Sequence, residues 1–177
     1  MRRSSRRDIT VGLRDRNDRQ ADVHRYQMRE QLLALGDDYW IETDSGERVF
    51  EVDGKAMRIR KTFVLRDASG AEVAKIQERK LTVRDTMTIE RPHGEATVRK
   101  ALVGVRDRFK IEVEGGADMH AHGNLIDHEY EIEQDGQTVA TVSKKWFRFK
   151  ETYGVEIQPG QDDALLLAVT VCNDSMT

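Results

Sequence analysis

Two groups of cations are the first residues whose types and spacing suggest chemistry. Lys55, Arg58, Arg60 and Lys61 fall in one short stretch, with Arg58 and Arg60 two apart and so on one face of a strand. Lys144, Lys145, Arg148 and Lys150 form the second group, interleaved with Trp146 and Phe147. Guanidinium forks and ammonium groups suit phosphate oxygens, and an aromatic ring beside them suits a lipid interface. The plainer alternative is a solvated strand face paired with nearby glutamates, because 29 Lys and Arg in 177 residues make such groupings easy. A third constellation is Asp118, His120, His122, Asp127 and His128. On a strand His120 and His122 project to the same side, and two imidazoles with a carboxylate are a donor set for zinc or iron. A bare His-x-His lacks a third ligand at a demanding spacing, and an exposed polar strand accounts for it equally well, so no metal is expected. Asp162 and Asp163 read as an acid pair or, more economically, as a helix cap.

Other catalytic signatures are missing from the sequence. There is no glycine-rich loop between a strand and a helix, no Gly-x-Ser-x-Gly elbow and no Walker lysine. Cys172, the single cysteine, sits in an apolar run where a thiol is normally inert; it excludes an intramolecular disulfide framework and fits a reducing compartment. The expectation is a non-catalytic protein without a cofactor, placed in the cytosol.

The elements that must position these residues are short strands. With 38% hydrophobic and 34% charged residues, the chain suits one folded domain with a well-hydrated surface. No apolar run approaches the roughly 20 residues of a membrane-spanning helix, so no transmembrane segment is expected, and a net charge of −3 gives no global push towards nucleic acid. Residues 1–22 hold seven arginines against four aspartates, with few large apolar residues. Such a segment cannot bury enough surface to offset the entropy of ordering, and it is expected to be a disordered tail ahead of a domain at 23–177. Beyond it Phe109, Ile111 and Val113 alternate with Lys110, Glu112 and Glu114, and Tyr130 and Ile132 with Glu129, Glu131 and Glu133. That is the period of strands with one wet face. Asp44-Ser45-Gly46, Asp67-Ala68-Ser69-Gly70 and Asp135-Gly136 supply hairpin turns. About ten to twelve strands fit between Tyr26 and Gln158.

After the break at Gln158-Pro159-Gly160, Ala164 to Cys172 run without a charge behind the capping aspartates. This reads as a helix apolar on every side, which must be surrounded; at about 1.5 Å per residue it is too short for a bilayer, so its surroundings are protein. A buried terminal strand competes with it, because Val169, Thr170 and Val171 favour extended structure. The fold class expected is mainly β, with a closed antiparallel barrel of about twelve strands around a central hydrophobic C-terminal helix.

In Tyr26-Gln27-Met28-Arg29-Glu30-Gln31, Asp37-Asp38-Tyr39-Trp40-Ile41 and Val49-Phe50-Glu51-Val52-Asp53-Gly54-Lys55-Ala56 the chain resembles the opening of the LURP-one-related family, of the tubby C-terminal-like superfamily. Phe63-Val64-Leu65-Arg66-Asp67, Lys80-Leu81, Arg84-Asp85-Thr86-Met87, Ser143-Lys144-Lys145-Trp146 and Tyr153-Gly154-Val155-Glu156-Ile157 continue the likeness in order. The resemblance implies a twelve-stranded barrel around a hydrophobic C-terminal helix. Its wider superfamily includes phosphoinositide-binding tubby proteins and phospholipid scramblases, which makes a binding module for anionic membrane phospholipid, or another phosphorylated ligand, the first functional expectation. The protein would then be cytosolic and peripheral at the membrane, with either basic group as the site. The second is a protein-interaction or scaffold domain using an exposed strand edge or an aromatic rim. The third is a metal-dependent enzyme built on His120 and His122.

Overall fold

The computed structural model of the protein describes residues 23–29, 38–54, 60–80, 82–101, 108–146 and 152–177. The tail expected at 1–22 lies outside them, as do Lys55, Arg58, Phe147, Arg148 and Lys150. Twelve strands follow one another: β1 (His24–Arg29), β2 (Tyr39–Thr43), β3 (Arg48–Gly54), β4 (Thr62–Asp67), β5 (Glu72–Glu78), β6 (Thr86–Arg91), β7 (Gly94–Lys100), β8 (Arg108–Val113), β9 (Met119–Asn124), β10 (Glu129–Gln134), β11 (Gln137–Ser143) and β12 (Thr152–Ile157). A 3-10 turn (Lys144–Trp146) follows β11, and one helix, α1 (Asp163–Met176), closes the described chain.

Each strand pairs antiparallel with its sequence neighbours, and β1 lies between β2 and β12, so the sheet closes into a barrel. The alternation read from the sequence sets which face turns inward. Phe109 and Ile111 of β8 are buried while Lys110 is exposed, and Tyr130 and Ile132 of β10 are buried while Glu131 is exposed. At Asp135-Gly136 both residues take positive φ, 52° and 76°, the backbone of a two-residue turn whose twist matches the flanking strands.

The helix fills the ring. Leu165 through Asn173 are all buried, and the leucines and valines pack in one cluster with inward residues of the strands, among them Ile41, Leu65, Ile89, Ile111, Ile132 and Val155. Each such side chain contributes about 1.5–3 kcal/mol by leaving water. The apolar run is therefore a helix, not the strand that its β-branched residues also allowed: the wall already pairs all its edges, and a segment enclosed by it must satisfy its own backbone. The aspartates start it as expected. Asp162 accepts from the Leu165 amide at 2.9 Å and pairs with Arg91, while Asp163 accepts from the Tyr26 hydroxyl and contacts His24. The beginning of α1 is thereby fixed to β1 and β6 at one mouth of the barrel. Its end emerges at the other mouth, where Lys61 Nζ donates to the Ser175 carbonyl at 2.8 Å and Lys100 Nζ to that of Met176 at 3.3 Å.

Candidate functional site

In an up-and-down barrel the connections alternate between the two mouths, and here that alternation separates charge. At the mouth where α1 begins, the six connections carry Asp44, Glu47, Glu114, Asp118, Asp135 and Asp162, and neither Lys nor Arg. At the mouth where α1 ends, the described residues of the connections include Arg60, Lys61, Arg79, Lys80, Arg84, Lys144 and Lys145 against Asp38, Asp85 and Asp127. The described members of the two basic groups picked out in the sequence thus sit on the same rim, Arg60 and Lys61 in the β3–β4 connection and Lys144 and Lys145 in the β11–β12 connection. Reading along the chain could not show this, because their proximity to one end depends on strand direction, not on spacing.

Not all of these cations are equally available. Lys61 caps the carbonyl end of α1, where the helix dipole is negative and a cation is stabilised. Lys145 Nζ lies 3.0 Å from Glu129 Oε2, and the same carboxylate accepts from the Ser143 hydroxyl and the Lys144 amide. Partial burial opposes ionisation of Glu129, but those bonds outweigh it and hold its carboxyl below the usual range. Glu129 is therefore a clamp on the 3-10 turn that carries Lys144 and Lys145. Arg60, Arg79, Lys80 and Arg84 form no ion pair with any described residue, and Arg79, Lys80 and Arg84, all in the β5–β6 connection, do not stand out along the sequence because Leu81, Thr82 and Val83 dilute them.

Beside these residues the rim opens into a cavity of about 640 Å³, lined by Lys61, Arg79, Lys80, Thr82, Met87 and Ser175 together with Glu78 and Asp85. Its inner side is the carbonyl end of α1. That end carries partial negative charge, and the cations Lys61, Arg79 and Lys80 stand around it.

Further inside the same mouth lies a polar cluster that the sequence did not reveal. Asp174, in the last turn of α1, accepts from the Tyr153 hydroxyl, and its Oδ1 lies 3.2 Å from His128 Nε2. The His128 ring stacks on Tyr153 with centroids 4.3 Å apart. Tyr39 and Tyr130 also turn inward, and burial first, then the Asp174 charge, pushes the Tyr39, Tyr130 and Tyr153 phenols well above their ordinary range. The Cys172 thiol is pushed up by the same two causes in the same order. A thiol so disfavoured as thiolate is no nucleophile. A thiol-reactive dye is accordingly expected to leave Cys172 untouched in the folded protein and to label it once denaturant opens the barrel; rapid labelling of native protein would contradict the burial described.

The histidine and aspartate constellation disperses. Asp118 pairs with Lys110, Asp127 accepts from Asn124 within the β9–β10 turn, and His128 points into the barrel. His120 and His122 do share the outer face of β9, but His122 Nε2 meets Glu133 Oε1 at 3.1 Å. The donors that come within 4.8 Å of one another are His122, Glu131 and Glu133, without His120. The pair read from the sequence is thus not brought together as a ligand set.

Comparison with known proteins agrees with this architecture. A family model described as LURP-one-related matches residues 24–174. The Bacillus subtilis (strain 168) protein YxjI, itself described as uncharacterised, is 22% identical over 151 residues, covering 83% of this chain and 90% of that protein. The crystal structure of an Arabidopsis thaliana protein superposes with a TM-score of 0.61 at 14% identity, covering 86% of this chain and 90% of the other, and shows the shared fold. Matched over all twelve described strands and through most of its central helix, the chain belongs to the LURP-one-related family.

Proposed function

We propose that the protein is a non-catalytic module that binds anionic phospholipid surfaces through the mouth at which α1 ends. The observation that carries this reading is the division of charge between the two mouths. A barrel with acidic connections at one end and basic connections at the other turns its basic end towards an anionic surface as it approaches, and each Lys or Arg near such a surface contributes about 1 kcal/mol. Arg79, Lys80 and Arg84 are the phosphate contacts, assisted by Arg60 and Lys144. The protein-interaction reading loses one of its two routes: a closed ring has no free edge on which a partner strand can add. None of the helices among the described residues is long and apolar enough to cross a membrane, so contact with a bilayer by this route is peripheral.

The test is co-sedimentation with phosphatidylcholine vesicles with and without phosphatidylserine, over a salt series. Binding is expected only with the anionic lipid, falling as salt rises. Lys80→Glu combined with Arg84→Glu should weaken it by at least about tenfold, since two contributions of that size are removed and reversed. Lys145 is a poor choice for charge reversal, because its loss also releases the Glu129 clamp. Sedimentation indifferent to lipid charge removes the proposal.

A further inference from the structure

The same rim carries the exposed apolar residues. Among the described residues the exposed large hydrophobic side chains are Val83, Ile126 and Trp146, at 94%, 65% and 44% exposure. Val83 lies in the β5–β6 connection, Ile126 in the β9–β10 turn and Trp146 in the 3-10 turn after β11. All three connections follow odd-numbered strands, so all three tips stand at the mouth where α1 ends. Single exposed apolar residues scattered over a surface require no explanation. Here the large ones are confined to one end, and they come from opposite sides of the ring: the β5–β6 connection is half the circumference away from the β11–β12 connection. Three tips spread round a rim define a plane across the barrel axis, which is the shape of contact that a flat interface accepts.

Their neighbours fit the same partner. Val83 precedes Arg84 and follows Lys80 by three residues, and Trp146 follows Lys144 and Lys145 directly. An apolar tip beside cations matches a bilayer surface, where phosphates lie just outside the acyl region and an indole settles at the boundary between them. Ile126 is flanked by Asp127, which accepts from the Asn124 side chain at 2.6 Å and keeps its charge, so this tip contributes apolar contact without a cation beside it.

We infer that the barrel docks end-on upon an anionic bilayer, inserting Val83, Ile126 and Trp146 into the interface while the basic rim neutralises phosphate. This rests on the lipid-binding reading above and adds to it an orientation and an apolar component. With α1 lying inside the ring and ending at this mouth, the barrel axis stands across the membrane plane.

The experiment uses the full chain carrying Trp40→Phe, which leaves Trp146 as the sole indole; Trp40 lies on β2 under the Arg48 guanidinium. Titration with phosphatidylserine-containing vesicles is expected to shift Trp146 emission to the blue and to protect it from acrylamide. Val83→Ser with Ile126→Ser, both at exposed positions and neither changing the charge, is expected to weaken sedimentation about tenfold while leaving the melting temperature unchanged. If vesicles still sediment the protein but the indole spectrum does not move and the double variant binds as the parent does, end-on insertion is wrong and charge-driven binding stands. If no vesicle sediments the protein, both readings fall.

Discussion

Gly123→Ala is expected to destabilise the barrel by about 3 kcal/mol, lowering the melting temperature by about 6–12 °C for a chain of this size. Gly123 has φ of +139°, a backbone that side-chain-bearing residues rarely adopt. It also lies directly opposite Tyr130 in the β9–β10 ladder. A Cβ built there would come within 2.6 Å of the Glu129 carbonyl oxygen and 2.7 Å of the Tyr130 Cα. Both are backbone atoms, so relief requires the two strands to part. Gly136 makes the internal control. Its φ is +76°, but no atom lies within 4 Å of an added Cβ, so Gly136→Ala pays only the conformational strain, about 1 kcal/mol. Thermal melts of the two variants should therefore separate clearly. Equal, small shifts would show that the β9–β10 pair opens readily and that close approach is not what fixes glycine at 123.

Asp174→Ala is expected to cost about 2–4 kcal/mol, read as a shift of the urea midpoint at unchanged slope. The Asp174 side chain is only 4% exposed; it is the acceptor of Tyr153, and its other oxygen lies 3.2 Å from His128 Nε2. Removing it withdraws the acceptor from a fully buried phenol and a carboxylate contact from a buried imidazole in one step. Asp174→Asn keeps an acceptor oxygen near Tyr153 and loses only the charge, so it should cost less, about 1–3 kcal/mol. A well-packed Asp174→Leu is the informative extreme. Buried ion pairs are sometimes replaced by apolar residues without loss, and a Leu variant as stable as the parent would show that desolvation of Asp174 consumes what its contacts return.

The barrel was legible in the sequence because its determinants are local. The two-residue period of Phe109-Lys110-Ile111, the Asp135-Gly136 turn and the Asp162 cap act within a few residues of themselves. An uncharged nine-residue run is equally readable, since its composition states that no face meets water. The inner polar cluster was hidden for the opposite reason. His128 sits in a turn with φ of +53°, which aims the ring into the mouth, and nothing in Asn124-Leu125-Ile126-Asp127-His128 announces that change of direction. Asp174 stands in the polar last turn of a helix, a position that in most helices meets solvent. A signal was present, however: Tyr39, Tyr130 and Tyr153 all fall on inward strand positions, and buried phenols require partners that only the polar last turn of α1 and the adjacent connections can supply. The basic rim was half visible. Each cationic group could be named, but their gathering at one end, with Val83, Ile126 and Trp146 among them, follows from strand polarity around a closed ring.

The order of elements along the chain also bears on how the molecule is made. All twelve strands precede α1, so a ribosome completes the whole wall before it supplies the segment that fills it. Meanwhile β1 must wait for β12, its partner from His24↔Ile157 to Arg29↔Thr152, across almost the entire described sequence. Folding dominated by such distant pairings is slow and leaves apolar strand faces open to wrong partners. The nascent wall is therefore the form in which this protein most needs a chaperone, and a message broken just before the codons of α1 would yield an aggregation-prone chain, not a weakened barrel.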